Sequence, residues 1–358
     1  MPVTIRELAR IAGVSPSTVS RALAGSPRIS HDRKEQIQRL AEEKGYYFPA
    51  RVISREKSFA IGAIIVNPLG GLSSDHFFSE VVGGSVEYVR DHGHYLVVET
   101  ISGLAANSAS APLPRVVEEK RVDGLIVGGI PIEEPYIRRL LDSGLPIVFI
   151  GKYLKDPTPC NAVIPDNVSG GRLVGKHFLD CRYDEHYFMG GDLSILTFAD
   201  RLAGFKQELE EHGRGLADEN ILLTDGIDQS AGSQATVKLL SRLRKDGRRV
   251  GIFAATDWMA AGVIRVLKAH GLPVPERIGV AGYTDLELAG HLYPSLTTVH
   301  VDRHQLGFLA ARTLADLLNR SITGPVQVYL QPSLVVREST SSKRSNHPQI
   351  SNVGGVTS

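Results

Sequence analysis

Apolar positions in the first 45 residues recur at helical spacing, not at the two-residue spacing of strands. Thr4-Ile5-Arg6-Glu7 reads as a capping box, in which the Thr hydroxyl and the Glu carboxylate each accept the other residue's backbone amide. The helix it opens puts Ile5, Leu8 and Ala9 on one face and stops at Gly13, where a positive φ is tolerated. Ser15 is a good N-cap and Pro16 suits a first helical position, so a second helix follows at once, with Val19, Ala22 and Leu23 as its buried stripe up to Gly25. A third is predicted from Ser30 to Lys44, burying Ile37 and Leu40. Two short helices around a Gly-containing turn make a helix-turn-helix, whose second helix offers its N-terminal residues to base edges. Here that solvent face carries Pro16, Ser17, Thr18, Ser20 and Arg21. Hydroxyls bond phosphates or bases, and Arg bonds guanine bidentately or grips phosphate. On caps and spacing alone, a three-helix bundle with no ligand fits equally well.

From Phe59 the pattern changes to short apolar runs alternating with amphipathic segments. Strands are predicted at Ile61–Val66, Tyr95–Thr100, Gly124–Val127 and Ile147–Ile150, with a helix at Phe78–His92. A second set runs through Ala162–Ile164, His186–Gly190, Gly251–Ala254 and Ile278–Ala281, with helices at Gly170–Leu179, Arg201–His212, Gln229–Leu243 and Asp257–His270. Buried strands alternating with helices make parallel sheets, and two sets make two lobes. The expected fold is an N-terminal all-α helix-turn-helix head plus an α/β body of two doubly wound lobes. Such lobes take ligands at the C-terminal ends of their strands. The expected domains are residues 1–45 (head), 46–58 (hinge linker), 59–340 (two-lobed body) and 341–358, a polar tail read as disordered.

Charge divides the same way. Residues 1–58 hold 11 Lys/Arg against 6 Asp/Glu, net +5, and the remainder holds 29 against 33, net −4. A basic head on a mildly acidic body suits a head that meets a polyanion. No apolar run approaches the roughly 20 residues of a membrane span, and Met1–Arg10 has no apolar signal core, so the expectation is a cytoplasmic protein. Cys160 and Cys181 are the only cysteines, which fits a reducing compartment better than a disulfide scaffold. There is no Walker loop, no Gly-x-Gly-x-x-Gly after the first strand, no Gly-x-Ser-x-Gly and no His/Cys metal spacing, so neither catalysis, a cofactor nor a metal is expected. The twelve His, among them His31, His92, His94, His291 and His300, are scattered and read as structural or exposed.

The run from Thr4 to Gly13, followed by Val14-Ser-Pro-Ser-Thr-Val-Ser-Arg-Ala-Leu23, closely resembles the head of the lactose/galactose repressor (LacI/GalR) family. The resemblance extends through Arg201-Leu-Ala-Gly-Phe205, Asp257-Trp-Met-Ala-Ala-Gly262, Gly279-Val-Ala-Gly-Tyr-Thr-Asp285, Pro294-Ser-Leu-Thr-Thr-Val299 and Leu334-Val-Val-Arg-Glu-Ser339. It implies that Pro16, Ser17 and Arg21 face bases, and that Ser15, Thr18 and Ser20 mainly serve phosphates and register. It implies a linker that folds on DNA, where Arg51 and Ile53 stand in a shortened version of the family pattern; Ile53 either wedges into the minor groove or packs linker against linker. The body is implied to be of the periplasmic-binding-protein-like type I, crossing between lobes three times, near Cys160–Asn161, Gly290–Tyr293 and Ser321–Pro325.

Matching positions give the implied effector residues. Arg201 would grip a sugar ring or purine. Asp166 would accept ligand hydroxyls, cap a helix, or do both. Asp257 would cap a helix and lie at the cleft edge, with Thr256 where Asn is usual. Phe77 and Phe78 would stack on a ring, either one being open to a core role, and Ile227 holds a position that is often aromatic. Thr284 replaces an Asp of many relatives, a loss that an anionic effector tolerates better than a neutral sugar. The implied function is a DNA-binding transcriptional regulator, expected to repress, controlled by a sugar, a sugar acid or a related metabolite. Its implied partners are double-stranded DNA with a palindromic operator and a second copy of the chain in a homodimer, a tetramer being left open. A sugar-binding transport protein is the competing reading, against which the basic head argues.

Overall fold

In the head, Thr4 caps α1 (Ile5–Ile11) through the reciprocal pair that its spacing predicts: Glu7 N donates to Thr4 Oγ1 at 3.4 Å and Thr4 N to Glu7 Oε2 at 2.9 Å. The computed structural model describes residues 4–23, 29–44, 59–67, 76–102, 111–129, 132–151, 153, 160–243 and 246–340. The chain divides into two compact units, one of residues 1–59 with 93–95 and one of residues 60–92 with 96–358. Ser15 Oγ accepts the amide of Thr18 at 3.1 Å and opens α2 (Pro16–Leu23), and α3 spans His31–Glu43. Leu8, Ala9, Val19, Ala22, Leu23, Ile37 and Ala41 close one small core, with Leu40 packed at its edge.

The body begins with β1 (Ala60–Asn67), α4 (His76–Asp91), β2 (Tyr95–Ser102), α5 (Arg115–Glu118) and β3 (Gly124–Gly129). There follow α6 (Glu134–Leu141), β4 (Ile147–Ile150), β5 (Asn161–Pro165), α7 (Asn167–Asp180), β6 (Glu185–Gly190), α8 (Leu196–Glu211) and β7 (Ile221–Leu223). The chain continues through α9 (Gln229–Leu240), β8 (Val250–Ala254), α10 (Asp257–Ala269), β9 (Ile278–Thr284), α11 (Glu287–His291) and β10 (Thr297–His300). It ends with α12 (Arg303–Leu318), β11 (Gln327–Leu330) and β12 (Ser333–Val335). Two six-stranded sheets result, in the orders β11-β5-β4-β3-β1-β2 and β12-β10-β9-β8-β6-β7. Pairing is parallel wherever the register is defined except between β10 and β12. Strand order reverses between β1 and β3 in the first sheet and between β6 and β8 in the second, which opens a crevice at those strands' C-terminal ends.

The three crossings each lie later than the sequence reading places them. Ala162–Ile164 belongs to the first sheet, because β5 pairs in register with β4 through Val148 and Asn161. The chain therefore leaves at Asp166, returns at residues 301–302 between β10 and α12, and crosses again at residues 331–332 between β11 and β12. Apolar periodicity marks a buried strand but not which sheet takes it.

Helices pair by close approach at glycines. A Cβ on Gly84 of α4 would meet the His304 carbonyl of α12, and one on Gly307 would meet the Val81 carbonyl in return. The same reciprocity joins α7 to α8, where Gly171 faces the Arg201 carbonyl and Gly204 that of Val168. It also joins α9 to α10, where Gly232 faces the Met259 carbonyl and Gly262 that of Gln229.

Among the described residues, three buried side-chain atoms lack a hydrogen-bond partner: His186 Nε2, Tyr283 Oη and Arg303 Nε. His186 on β6 is 3% exposed, lies between the rings of Phe178 and Phe205, and leaves Nε2 unbonded. Burial pushes its pKa down to about 4, with Arg214 adding to the fall. The unfolded chain therefore binds the extra proton first, and stability is lost as pH falls from about 6.5, the free-histidine value, toward 4. His186→Phe is expected to remove up to about 3 kcal/mol of that acid sensitivity, read as a flatter pH dependence of the urea midpoint between pH 4.5 and 6.5. An unchanged pH dependence contradicts it.

Candidate effector site and nucleic-acid interface

On α2, packing of Val19, Ala22 and Leu23 inward leaves Ser15, Pro16, Ser17, Ser20 and Arg21 exposed, with Thr18 half-buried. Ser15 Oγ lies 2.8 Å from both Ser17 Oγ and Thr18 Oγ1, so one linked set of hydroxyls surrounds the N-terminus of this helix. Hydroxyls at a helix start with an arginine one turn on suit phosphate and base-edge contacts. Arg51 and Ile53 lie outside the described residues.

In the body, Arg201 is carried by α8 at the crossing with α7 and is 6% exposed. Its Nε donates to Asn167 Oδ1 at 3.0 Å and its Nη1 to the Ala255 carbonyl at 2.5 Å. The guanidinium carbon stands 3.7 Å from the ring centre of Tyr283 and 5.7 Å from that of Phe198. Burial disfavours its charged form and lowers its pKa. Among the described residues no carboxylate pairs with it. Asn167, 3% exposed, is a site residue that the sequence reading missed. It follows Asp166 directly and is fixed as the first residue of α7.

Asp166 takes its capping role. Its Oδ1 accepts Ser169 N at 2.9 Å, and its Oδ2 accepts Ser169 Oγ at 2.7 Å and Gln331 Nε2 at 3.0 Å. It thereby ties the first crossing to the third. For Asp257 the expectation needs correction, because the N-cap of α10 is Thr256, whose Oγ1 accepts Met259 N at 3.1 Å and donates to the Ile227 carbonyl at 2.8 Å. Asp257 is the first helical residue and fully buried. Its Oδ1 accepts Thr298 Oγ1 at 2.5 Å, and its Oδ2 accepts Thr284 Oγ1 at 3.2 Å and Leu286 N at 2.8 Å. Burial pushes its carboxyl up to about 6 against those three hydrogen bonds.

Thr284 ends β9 at φ +111°, which a β-branched residue rarely adopts, followed by Asp285 at +54°, a left-handed conformation that Asp tolerates. Arg303, 7% exposed at the start of α12, holds this turn by donating Nη1 to the carbonyls of Thr284 and Asp285. Its Nη2 reaches Glu80 Oε1 of α4 at 2.9 Å. One guanidinium thus links the turn of the second sheet to the helix that follows β1 of the first. Asp285 is held from the other side by Arg337 Nη2 at 2.7 Å and lies 3.1 Å from His300 Nδ1. His300 therefore has a definite partner, which its sequence context did not announce.

Phe78 is core: its ring fills the space that a Cβ on Gly128 would need. Phe77, half-buried with its ring 5.0 Å from that of Phe78, is left as the candidate stacking surface. Ile227 lies against Gly191, just after β6. Phe77, Arg201, Ile227, Thr256, Asp257 and Thr284 all follow or end strands at the C-terminal edges of the two sheets, where the reversals of strand order fall. Among the described residues, no group of His, Cys, Asp and Glu could hold a metal ion, and no helix is long and apolar enough to cross a membrane.

A helix-turn-helix ahead of a two-sheet α/β body defines a DNA-binding regulator with a periplasmic-binding-protein-like body. Residues 4–48 match the lacI family of bacterial regulatory proteins, and residues 176–340 match the periplasmic binding protein-like domain. The chain is 28% identical over 340 residues to the HTH-type transcriptional regulator CelR of Thermobifida fusca, covering 94% of this chain and 98% of that protein. It is 27% identical over 341 residues to the ribose operon repressor of Haemophilus influenzae, covering 94% and 98%. A solved lac repressor dimer bound to operator and the anti-inducer ONPF is similar with a TM-score of 0.74 and 26% identity, over 95% of this chain and 99% of that one. A CelR–cellobiose complex is similar with a TM-score of 0.69 and 28% identity, over 94% and 99%. The chain joins a lacI-family DNA-binding domain to a periplasmic binding protein-like domain and is a helix-turn-helix transcriptional regulator.

The Arg303 bridge is testable by itself. A double-mutant cycle of Glu80→Gln and Arg303→Gln is expected to show a coupling of about 1–2 kcal/mol in urea unfolding. Additive effects of the two changes contradict the bridge.

Proposed function

We propose that this regulator binds a palindromic DNA operator as a homodimer, represses from it, and changes its operator affinity when the body takes up a sugar or sugar derivative. The exposed face of α2 carries the reading. Its hydroxyl set and Arg21 are presented by a helix whose opposite side is fully packed. Ser17 and Arg21, with apolar contact from Pro16, face bases in the major groove; Ser15, Thr18 and Ser20 hold phosphates. Arg51 and Ile53 of the linker extend the contact along the DNA. Two-fold symmetry of the protein then matches two half-sites.

In the body the effector lies at the C-terminal strand edges, gripped by Arg201, with Phe77 against its ring and Ile227, Thr256 and Thr284 around it. Asp166 and Asp257 shape the site from behind, since their oxygens already accept internal donors. An effector that prefers one arrangement of the lobes shifts DNA affinity by as much as its preference, through linkage. The protein binds this molecule without turning it over and acts in the cytoplasm, its domains being those expected at residues 1–45, 46–58, 59–340 and 341–358.

Selection of bound sequences from a random DNA pool returns the half-site and its spacing. On the selected site, affinity is expected to fall steeply with salt as phosphate contacts release counterions. A flat response in anisotropy measurements sinks the role given to α2. Arg21→Ala is expected to weaken the selected site by about 1–3 kcal/mol while affecting unrelated DNA much less. An equal loss on both would assign Arg21 to phosphate.

A further inference from the structure

Three hydroxyls at the start of α2 share their protons. Ser15 Oγ stands 2.8 Å from Ser17 Oγ and 2.8 Å from Thr18 Oγ1. Each of these contacts consumes one proton, and each hydroxyl owns one, so a single proton is left over for the DNA. A phosphate diester only accepts hydrogen bonds, so a hydroxyl that meets it must donate. Ser15 and Thr18, three residues apart, share one flank of the helix, and Ser17 and Arg21, four apart, share the neighbouring face. If Thr18 donates to the phosphate, Ser15 spends its proton on Thr18 and Ser17 spends its own on Ser15. If Ser15 donates to the phosphate, Thr18 and Ser17 both spend theirs on Ser15. Either way Ser17 faces the groove with lone pairs and no proton.

We infer that Ser17 reads a base amino group, adenine N6 or cytosine N4, and discriminates against the carbonyl oxygens of guanine and thymine. The inference rests on the roles proposed above for Ser15, Thr18 and Ser17, and adds the direction of the hydrogen bond. A serine by itself leaves that direction open, because its hydroxyl both donates and accepts. Pro16 beside it has no donor to offer. Arg21, one turn further along the same face, has donors only. The reading face therefore presents an acceptor first and donors second, which fixes the order of groups it matches in the major groove.

The test uses the full chain and the operator selected from random DNA, with affinity read by fluorescence anisotropy. Every base pair shows one amino group in the major groove. Each is deleted in turn along one half-site, with purine in place of adenine and 2-pyrimidinone in place of cytosine. At one position the deletion is expected to weaken the wild-type chain about 3- to 10-fold and Ser17→Ala by less than about twofold. Coupling at no position overturns the inference. Coupling of Ser17→Ala to 7-deazaguanine or 4-thiothymine instead, which alter acceptors, overturns it and leaves Ser17 as a base contact. If a repeated selection with Ser17→Ala returns unchanged preferences at every position, the base-reading role falls as well. Glycine is nearly as good an N-cap as serine, so Ser15→Gly frees the Ser17 proton at little cost to the helix. That variant is expected to weaken all DNA through the lost phosphate contact. Beyond that, it is expected to shrink the preference for an amino over a carbonyl group at the position of Ser17 by about threefold or more. An undiminished preference in the folded variant overturns the inference.

Discussion

Three helix pairs in the body approach so closely that no side chain fits between them, and the placement of the polar site depends on that approach. Gly84 and Gly307, Gly171 and Gly204, and Gly232 and Gly262 each face a carbonyl of the opposite helix where a Cβ would collide. About one helical turn before these contacts lie Glu80 and Arg303 in the first pair and Asn167 and Arg201 in the second. In the third, Thr256 and Asp257 open the helix that carries Gly262. Close backbones let side chains at the helix starts meet across the crossing. A methyl group at the first crossing would push its helices apart and lengthen the Arg303–Glu80 contact, and one at the second would lengthen Arg201–Asn167.

Within that frame, the buried polar groups divide by sign. The carboxylates of Asp166, Asp257 and Asp285 are occupied by donors from the protein, and Arg303 is shared between two carbonyls and Glu80. Arg201 makes its hydrogen bonds and ring contacts to neutral groups, with the Asp257 carboxylate acting on it through space. The strained Thr284–Asp285 turn is fixed by Asp257 from one side and Arg303 from the other, and Arg303 continues to α4. A ligand that disturbs the turn therefore acts on both sheets, which gives effector binding a physical route to the relative position of the lobes.

The head was legible because its signals are local. A capping box spans four residues, and Ser15-Pro16 announces a helix start by itself. The body's central strands were legible because full burial makes them continuous apolar runs, as in Ile61–Val66. Lost were the short strands β7, β10, β11 and β12, whose three or four residues carry too little pattern. Assignment of β5 to the wrong lobe moved the first crossing, since pairing is a long-range fact. Within the site, Arg201 and Thr284 stood out through the family pattern, whereas the Glu80–Arg303 bridge joins residues 223 positions apart. The family resemblance implies Asp257 as a cap, but Thr256 beside it is an equally good cap by residue type. Only the backbone shows which of them stands outside the helix.

Neighbouring glycines of α4 offer the most direct measurement. Gly83 has open space around its would-be Cβ, whereas Gly84 faces the His304 carbonyl. Both are helical, so alanine's propensity gain is common to them. In urea unfolding of the full chain, Gly83→Ala is expected to be neutral or to stabilise by up to about 1 kcal/mol, while Gly84→Ala destabilises by about 1–3 kcal/mol or more. Equal effects of the two substitutions would show that the helices do not depend on this contact, and would contradict the account at its base.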